Sequence, residues 1–515
     1  MNRKALYVRV FFMKSLQELA TFVSQQRLDV ISTFPVYSKK EKNSKFKRFV
    51  EGIISGEFNT DEEAAENLYK TGTDAVKYRV LKTRLRERLH NNILFFYSGK
   101  RSGATTAINT SLYRQLVIAK LMLSAGIRNA GYELIEKTLV KAMKYQTYDI
   151  VEQCALHFRR YSMMQGDAKE FEKYNTLFQQ AHNTLWNEAK AEELYSRVMI
   201  HFNESFAQSK ELVEQVKQSA EELLKLRALQ PTFLINYYTN SIQSTYYYLI
   251  RNYEKAIVSC DEYEAYLKEN PTFYTAQRHA VILSEKAGYY LHIHDFEKGI
   301  SCAQQAIGLY KEGSINWFLL LELYFLLLLN KNDITKATEL YINVISHDRF
   351  QYIRPQQQEL WKIFGGYLWF TATCQKNDEC INKLTSRRQL FRFSKLLNEI
   401  PHFAKDKKGM NVAVLILQIL LLLQKKEYVA IISRTEALKS YIYRNLDKDA
   451  HRSHVFIKLL LTMEKAQFDY EKTRQKTKNL LEKLSQVDLN YAATQARMEI
   501  IPYEQLWQTA LGLIK

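Results

Sequence analysis

Glycine and proline are scarce in this chain, which contains 16 glycines and 6 prolines in 515 residues. Average globular sequences hold about 12% of these two residues together, roughly three times the share found here. β-Sandwiches, β-barrels and α/β enzymes need frequent turns, which glycine and proline usually supply. A disordered chain is excluded as well, because 46% of the residues are hydrophobic and 13% are aromatic, which is enough for a core. The sequence therefore predicts an all-α protein with long helices and short connections.

One pattern recurs at the start of three predicted helices, in residues 252–257, 295–300 and 332–337. Each segment has a polar residue suited to an N-cap, then an aromatic or aliphatic residue, then a small residue three positions later. Another helix with apolar periodicity precedes each segment. The pattern predicts a repeating unit of helix, tight turn and helix.

Two of these units carry a more specific pattern. Phe296 is followed three residues later by Gly299 and preceded nine residues earlier by Ala287, and the unit at Tyr253 has Ser244 in the corresponding place. This pattern resembles the tetratricopeptide repeat. The resemblance implies helix pairs stacked into an α-solenoid, a curved superhelix with a concave face that binds partners.

The repeat departs from the family in its period. Possible starts of the second helix of each pair are separated by 38 to 48 residues, whereas the family repeat has 34, and Phe325 stands where the family has a small residue. We expect an α-solenoid of about nine degenerate helix-turn-helix repeats over residues 107–515. The nine predicted starts are Ala130, Phe171, Leu212, Tyr253, Phe296, Ile334, Cys380, Tyr428 and Tyr470.

The resemblance also suggests which side chains face inward. In the family geometry, polar and aromatic positions of the first helices line the concave surface, so the candidate partner-binding residues are Asn240, Tyr247 and Arg278. Small residues such as Ala287 and Gly299 are expected to let neighbouring helices approach closely.

Residues 1–106 form a predicted basic helical module, since residues 1–110 hold 20 Lys and Arg against 11 Asp and Glu. Thr60 and Glu63 have the spacing of a capping box at the start of a helix. A second helix follows, with an apolar stripe on one side. The stripe consists of Tyr78, Leu81, Leu85 and Leu89.

Two interpretations of this module remain open. An acidic-capped helix before a basic one suits a helix-turn-helix, and the segment resembles the winged-helix region that precedes helical repeats in some bacterial transcription regulators. Alternatively, the basic helix is the solvated face of a cap on the solenoid. The candidate nucleic-acid contacts are Arg79, Lys82, Arg84, Arg86 and Arg88.

Motifs for catalysis are missing from the sequence, which has no G-x-S-x-G, H-E-x-x-H or P-loop. Asp447, His451 and His454 share one helical face, but a zinc site normally needs a fourth ligand or water in an enclosed setting. Cys374 and Cys380 are expected to be buried small residues. We therefore expect no catalytic residue, no cofactor and no metal.

The sequence favours a cytoplasmic protein without a membrane partner. Its five cysteines form an odd set without C-x-x-C, which fits a reducing compartment, and we expect no signal peptide. The apolar runs 317–329 and 412–423 are shorter than the about 20 residues of a membrane span, which predicts buried core helices. Abundant Lys, Ile, Asn, Tyr and Leu favour a bacterial source.

These features favour a non-enzymatic scaffold or adaptor that binds a protein or peptide on the solenoid surface. The alternative is a nucleic-acid-binding regulator, in which the basic module contacts DNA or RNA and the solenoid acts as a sensor. The formal net charge of +18 fits that alternative, because phosphate contacts dominate nucleic-acid affinity. A hydrolase or transferase without a recognisable motif is a third hypothesis.

Overall fold

A computed structural model shows the architecture of the chain for residues 16–17, 19–20, 45–96, 104–204, 210–385, 408–445, 451–486 and 499–515. These residues contain 21 α-helices and no β-strand. The predicted all-α class is therefore confirmed. Most helices pack against the helices that precede and follow them in sequence.

The described residues fall into two compact units, the first ending at His182 and the second beginning at Asn183. The boundary predicted between residues 106 and 107 stays a prediction. The helices that lie wholly in the first unit are α1 (Lys45–Ile54), α2 (Asp61–Tyr69), α3 (Val76–Phe96), α4 (Ala104–Ser124), α5 (Arg128–Lys144) and α6 (Tyr148–Gln165).

Helix α7 (Ala168–Glu204) contains the residues at which the first unit ends and the second begins. The remaining helices belong to the second unit. They are α8 (Lys210–Leu229), α9 (Phe233–Leu249), α10 (Tyr253–Glu269), α11 (Ala276–His292), α12 (Phe296–Leu309), α13 (Ile315–Asn330), α14 (Ile334–Ile345), α15 (Pro355–Cys374), α16 (Asp378–Thr385), α17 (Lys408–Gln424), α18 (Tyr428–Asn445), α19 (His451–Lys465), α20 (Tyr470–Ser485) and α21 (Tyr503–Leu513).

Helices α1, α2 and α3 share a small core in the first unit. Helix α2 begins with the predicted capping box, in which the Thr60 hydroxyl accepts from the Glu63 backbone N–H and the Glu63 carboxylate accepts from the Thr60 N–H. The predicted apolar stripe of α3 is buried throughout. Its members and partners in this core include Tyr78, Leu81, Leu85, Leu89, Phe49 and Phe58.

A recurring turn joins many of the helices in the second unit. Before α12, His294 has a left-handed backbone with φ 60°, and the Asp295 carboxylate accepts from the Lys298 N–H at 3.3 Å. The Asp295 N–H in turn donates to the Tyr290 carbonyl at 3.0 Å, which closes the preceding helix. Residues at the equivalent left-handed position, with φ between 53° and 65°, are Arg251, His294, Asn332, Lys376 and Lys426.

Five of the nine predicted starts are the first residue of a helix, namely those of α10, α12, α14, α18 and α20. The nine-repeat scheme also needs a turn between Phe171 and Leu212. The structure instead has the continuous 37-residue helix α7 through most of that stretch. The sequence explains the difference, because residues 167–230 contain neither glycine nor proline, so nothing there stops the helix.

The two long apolar runs lie in helices that contribute many buried residues to the core of the second unit. In α13, Phe318, Phe325 and Leu327 are fully buried, and in α17 every residue from 412 to 423 is buried. These observations confirm that the runs are core helices. None of the helices in the described ranges has both the length and the apolar character that crossing a membrane requires.

Gly299 marks a close contact between helices in the second unit. A Cβ atom at this position would lie 2.7 Å from Leu327 Cδ2 of α13 and 3.4 Å from the Ala287 carbonyl oxygen of α11. Ala287 is itself fully buried. The small residues singled out in the sequence therefore do allow α11, α12 and α13 to approach closely.

A buried ionic cluster joins α19 to residues 499–515. Arg452 and Glu499 are each 5% exposed. The Arg452 guanidinium donates to Glu499 Oε1 at 2.7 Å, to Glu504 Oε2 at 2.6 Å and to the Leu484 carbonyl at 2.9 Å. Glu499 Oε1 also accepts from the Tyr503 N–H at 2.9 Å, so the buried Arg452–Glu499 pair has further hydrogen bonds that offset part of the cost of removing the two charges from water.

Candidate ligand-binding groove

A groove runs across α9, α11 and α13 in the second unit and has a volume of about 340 Å³. In the predicted scheme these are the first helices of three consecutive pairs. The groove brings together polar, aromatic and aliphatic side chains. Its principal lining residues are Thr245, Tyr248, Glu285, Gly288, His292 and Leu323.

Helical spacing explains how α11 presents several groups to this groove. Glu285, Gly288 and His292 stand at positions i, i+3 and i+7, which share one face of a helix. Gly288 keeps the groove open, since a Cβ atom there would meet only Leu323 Cδ2, at 4.0 Å. A larger side chain at position 288 would therefore extend into the groove.

Glu285 is a partly buried carboxyl group at the centre of this face. Cys260 Sγ of α10 donates a hydrogen bond to Glu285 Oε2 at 3.6 Å, and Ser244 Oγ lies 3.9 Å from the same sulfur. Burial raises the pKa of Glu285 to about 7, although the bond from Cys260 acts in the opposite direction. The carboxyl group therefore changes its charge near neutral pH.

The nearest lysine in sequence is directed elsewhere. The ammonium group of Lys286 lies 2.6 Å from Asp261 Oδ1 and 3.2 Å from Glu264 Oε2. Within the described part of the chain, no ion pair involves Glu285. The groove therefore contains a carboxyl group without an internal cation.

Aromatic rings stand beside this carboxyl group. The ring of Tyr248 lies 6.4 Å from that of Tyr289 and 5.6 Å from that of His292, measured between centroids. The His292 ring also stacks on Tyr253 at 4.2 Å. Burial raises the pKa of Tyr248 and of Tyr289, so both phenols stay uncharged at neutral pH.

The three residues expected to bind a partner lie on the same two helices, α9 and α11, but do not line this groove. Asn240 is 7% exposed and accepts a hydrogen bond from Ser259 Oγ at 3.0 Å. The ring of Tyr247 is partly buried, with its centroid 5.7 Å from that of Tyr246. Their role in binding stays a prediction.

Arg278 has several contacts within the protein. Its Nη1 donates to the Phe273 carbonyl at 2.6 Å, and its guanidinium lies 4.4 Å from the centroid of the Phe233 ring. Burial lowers the pKa of Arg278. The guanidinium thus joins α9 to α11, and a partner would meet only its remaining surface.

The five cations proposed to contact nucleic acid all lie on α3 but have different surroundings. Arg79 and Arg84 are exposed. The Lys82 ammonium donates to both carboxylate oxygens of Asp61 at 2.6 Å. Arg86 and Arg88 are partly buried, and the Arg88 guanidinium lies 5.1 Å from the centroid of the Phe46 ring.

The charge of this module is also nearly balanced where the structure describes it. Residues 45–96 contain ten Lys and Arg against eight Asp and Glu. Most of the net positive charge of residues 1–110 therefore belongs to residues outside the described ranges. Of the five cations, the structure presents Arg79 and Arg84 most openly to solvent.

The residues that the sequence suggests for metal binding, and the cysteines, show no metal site within the described residues. Asp447 lies outside the described residues, and within them no group of three or more His, Cys, Asp or Glu side chains could hold a metal ion. Cys380 is fully buried, as predicted, and Cys374 is partly buried with its pKa raised to about 11 by burial. All five cysteines are free thiols.

Sequence reasoning did not single out Glu285, because one glutamate in a helix usually faces solvent. A usable signal was its spacing from Gly288 and His292 on a face that also carries apolar residues.

Comparisons of the chain with known protein families, with curated proteins and with solved structures found no match.

Proposed function

We propose that the protein is a non-enzymatic scaffold or adaptor, built as an α-solenoid of helix pairs, that binds a peptide segment of a partner protein. Two observations support the repeat arrangement: the same left-handed turn recurs before α10, α12, α14, α16 and α18, and helices pack on their neighbours in sequence. Stacking of such pairs buries the apolar stripe that one pair cannot bury alone.

The groove across α9, α11 and α13 is the observation that carries the binding proposal. An extended peptide can lie across consecutive helices, and the mixture of aromatic, aliphatic and polar side chains suits a ligand site. The thiol nearest to Glu285 argues against covalent catalysis there. Cys260 is fully buried, and burial raises its pKa well above the usual value, so its reactive thiolate is disfavoured.

A blocking variant tests this proposal with the full-length protein. Gly288→Trp would fill the groove from α11, whereas Gly308→Trp places the same side chain on exposed α12, where a Cβ atom meets nothing within 4 Å. Both variants and the wild type are immobilised, and cell lysate from the source organism is passed over each. A partner retained by the wild type and by Gly308→Trp, but lost by Gly288→Trp, supports groove binding. Identical sets of retained proteins contradict it.

Nucleic-acid binding is the second candidate, because Arg79 and Arg84 are exposed on one helix that follows a capped helix. The full-length protein is titrated with duplex DNA and single-stranded RNA at several salt concentrations. If both arginines contact phosphates, Arg79→Ala/Arg84→Ala lowers the slope of log K against log salt by about 2. An unchanged slope, or no binding by the wild type at 150 mM salt, rejects this candidate.

We place the protein in the cytoplasm as part of the same proposal. The support is the set of five free thiols, since disulfides are rare in reducing compartments.

A further inference from the structure

Two hydroxyl groups line the groove together with Glu285, those of Ser284 and Thr245. The Ser284 hydroxyl donates to the Ala280 carbonyl at 2.6 Å, and the Thr245 hydroxyl donates to the Ser241 carbonyl at 2.8 Å. Each hydroxyl has given its hydrogen to its own helix, and the Tyr310 hydroxyl lies 3.4 Å from Ser284 Oγ and can donate to it. Ser284 therefore keeps one lone pair for a ligand and Thr245 keeps two. With the carboxylate, the groove offers three acceptors from α9 and α11.

This arrangement matches a primary ammonium group. Such a group carries three N–H donors and no acceptor, whereas a guanidinium is a planar fork that prefers bidentate partners. One carboxyl group and two separate hydroxyls in the same lining suit the three N–H donors of an ammonium group better than the planar fork of a guanidinium. A cation also completes the charge balance, because among the described residues Glu285 has no cationic partner in any ion pair.

The remaining lining suits the rest of a lysine side chain. A lysine buries its four-carbon stem along apolar surface while its head reaches a polar group. Leu323 and Leu326 of α13 supply that apolar surface, and Tyr248 adds an aromatic face that attracts cations.

We infer that the groove recognises a lysine side chain of the partner segment, with the ε-ammonium group held by Glu285, Ser284 and Thr245. This inference rests on the proposed function and names the chemistry of the segment that binds. The stem lies against Leu323 and Leu326, so the site selects the lysine by shape as well as by charge.

Paired peptide pools test the inference with the full-length protein. The pools are fluorescein-labelled, N-acetylated and C-amidated nonapeptides that differ only at the central residue, either lysine or its uncharged analogue norleucine. Fluorescence anisotropy at pH 8 measures binding. We expect the wild type to bind the lysine pool at least tenfold more tightly, as charge-assisted hydrogen bonds imply.

Two substitutions locate the effect. Glu285→Gln keeps an acceptor for Cys260 but removes the charge, and it should abolish the preference for lysine. Glu262→Gln removes an exposed carboxylate of α10 and should leave that preference unchanged. A lysine preference that survives Glu285→Gln, or no preference in the wild type, overturns the inference.

Further measurements in the same assay, with Gly288→Trp and with a free amine, separate this inference from the proposed function. If both pools bind equally and Gly288→Trp weakens both, groove binding stands and lysine recognition fails. If Gly288→Trp weakens neither pool, the proposed function fails as well. Free n-butylammonium is the final probe: competition at the same concentration as the lysine peptides would make the site one for free amines and overturn the assignment to a partner segment.

Discussion

Removing the guanidinium of Arg452 should weaken the packing of α21 on the rest of the second unit. Arg452→Met leaves Glu499 buried without its cation, while Glu504, which is 35% exposed, can turn towards water. Breaking a buried ion pair by removing one partner destabilises a protein by about 3–5 kcal/mol, mostly through the charge left without compensation. The effect should be local, because Leu484, Glu499 and Glu504, which accept from Arg452, lie in residues 484–504.

Hydrogen exchange followed by mass spectrometry measures this local loss. If α21 exchanges through local opening, a change of 3–5 kcal/mol corresponds to exchange faster by roughly 200- to 5,000-fold in residues 503–513. Lys458→Met is the matched control, because Lys458 is exposed on the same helix, α19. The Lys458→Met variant should change the exchange rate of residues 503–513 by no more than twofold or threefold.

Two results would refute the reasoning. One is acceleration of less than tenfold in α21, and the other is equal acceleration in α10 or α12, which do not contact the cluster. The double variant Arg452→Met/Glu499→Gln should restore most of the protection, since it no longer leaves a buried charge unpaired.

Three further predictions concern stability. Because the pKa of Glu285 is about 7 in the folded protein and its ordinary value is 4.5, the folded state holds more protons in this window and stability falls as pH rises through it. Glu285→Gln should remove this pH dependence of the free energy of unfolding, which amounts to at most about 3 kcal/mol between pH 5 and pH 8 in urea titrations. An equal pH dependence in the wild type and the variant would contradict the prediction. Gly299→Ala should lower the melting temperature, since overpacking against Leu327 costs about 1–3 kcal/mol, while Gly308→Ala on exposed helix surface should raise it; opposite signs would contradict the packing account. Lys426→Gly should raise the free energy of unfolding by about 0.5–1 kcal/mol in urea titrations, because glycine adopts the left-handed backbone of this position without steric cost. A destabilised variant would contradict this explanation.

The turns of the second unit were predictable because their chemistry is local. Asn252 and Asp295 are N-caps in the structure, as the sequence predicts, since a side chain that accepts from the first turn needs only neighbouring residues. The stripe of α3 from Tyr78 to Leu89 was predictable for the same reason. Helical periodicity alone determines which residues share a face.

The groove was not predictable in the same way. Its formation depends on how α9, α11 and α13 stand side by side, which involves Thr245, Glu285 and Leu323 from distant parts of the sequence. Asn240 illustrates the same limit, because the family geometry suggests an inward-facing contact and the structure shows a buried acceptor for Ser259. Periodicity identifies a buried face but not the neighbour that covers it.

The ionic cluster also has a consequence for the order of events on the ribosome. Most helices find their packing partners among residues synthesised just before them, so structure can form while the chain emerges. Arg452 differs, since Glu499 follows it by 47 residues and Glu504 by 52. At 5–20 residues per second this gap is roughly 2–10 seconds. During that interval the carboxylates that neutralise Arg452 have not yet been made, so α19 can complete this cluster only after residues 499–504 have been synthesised.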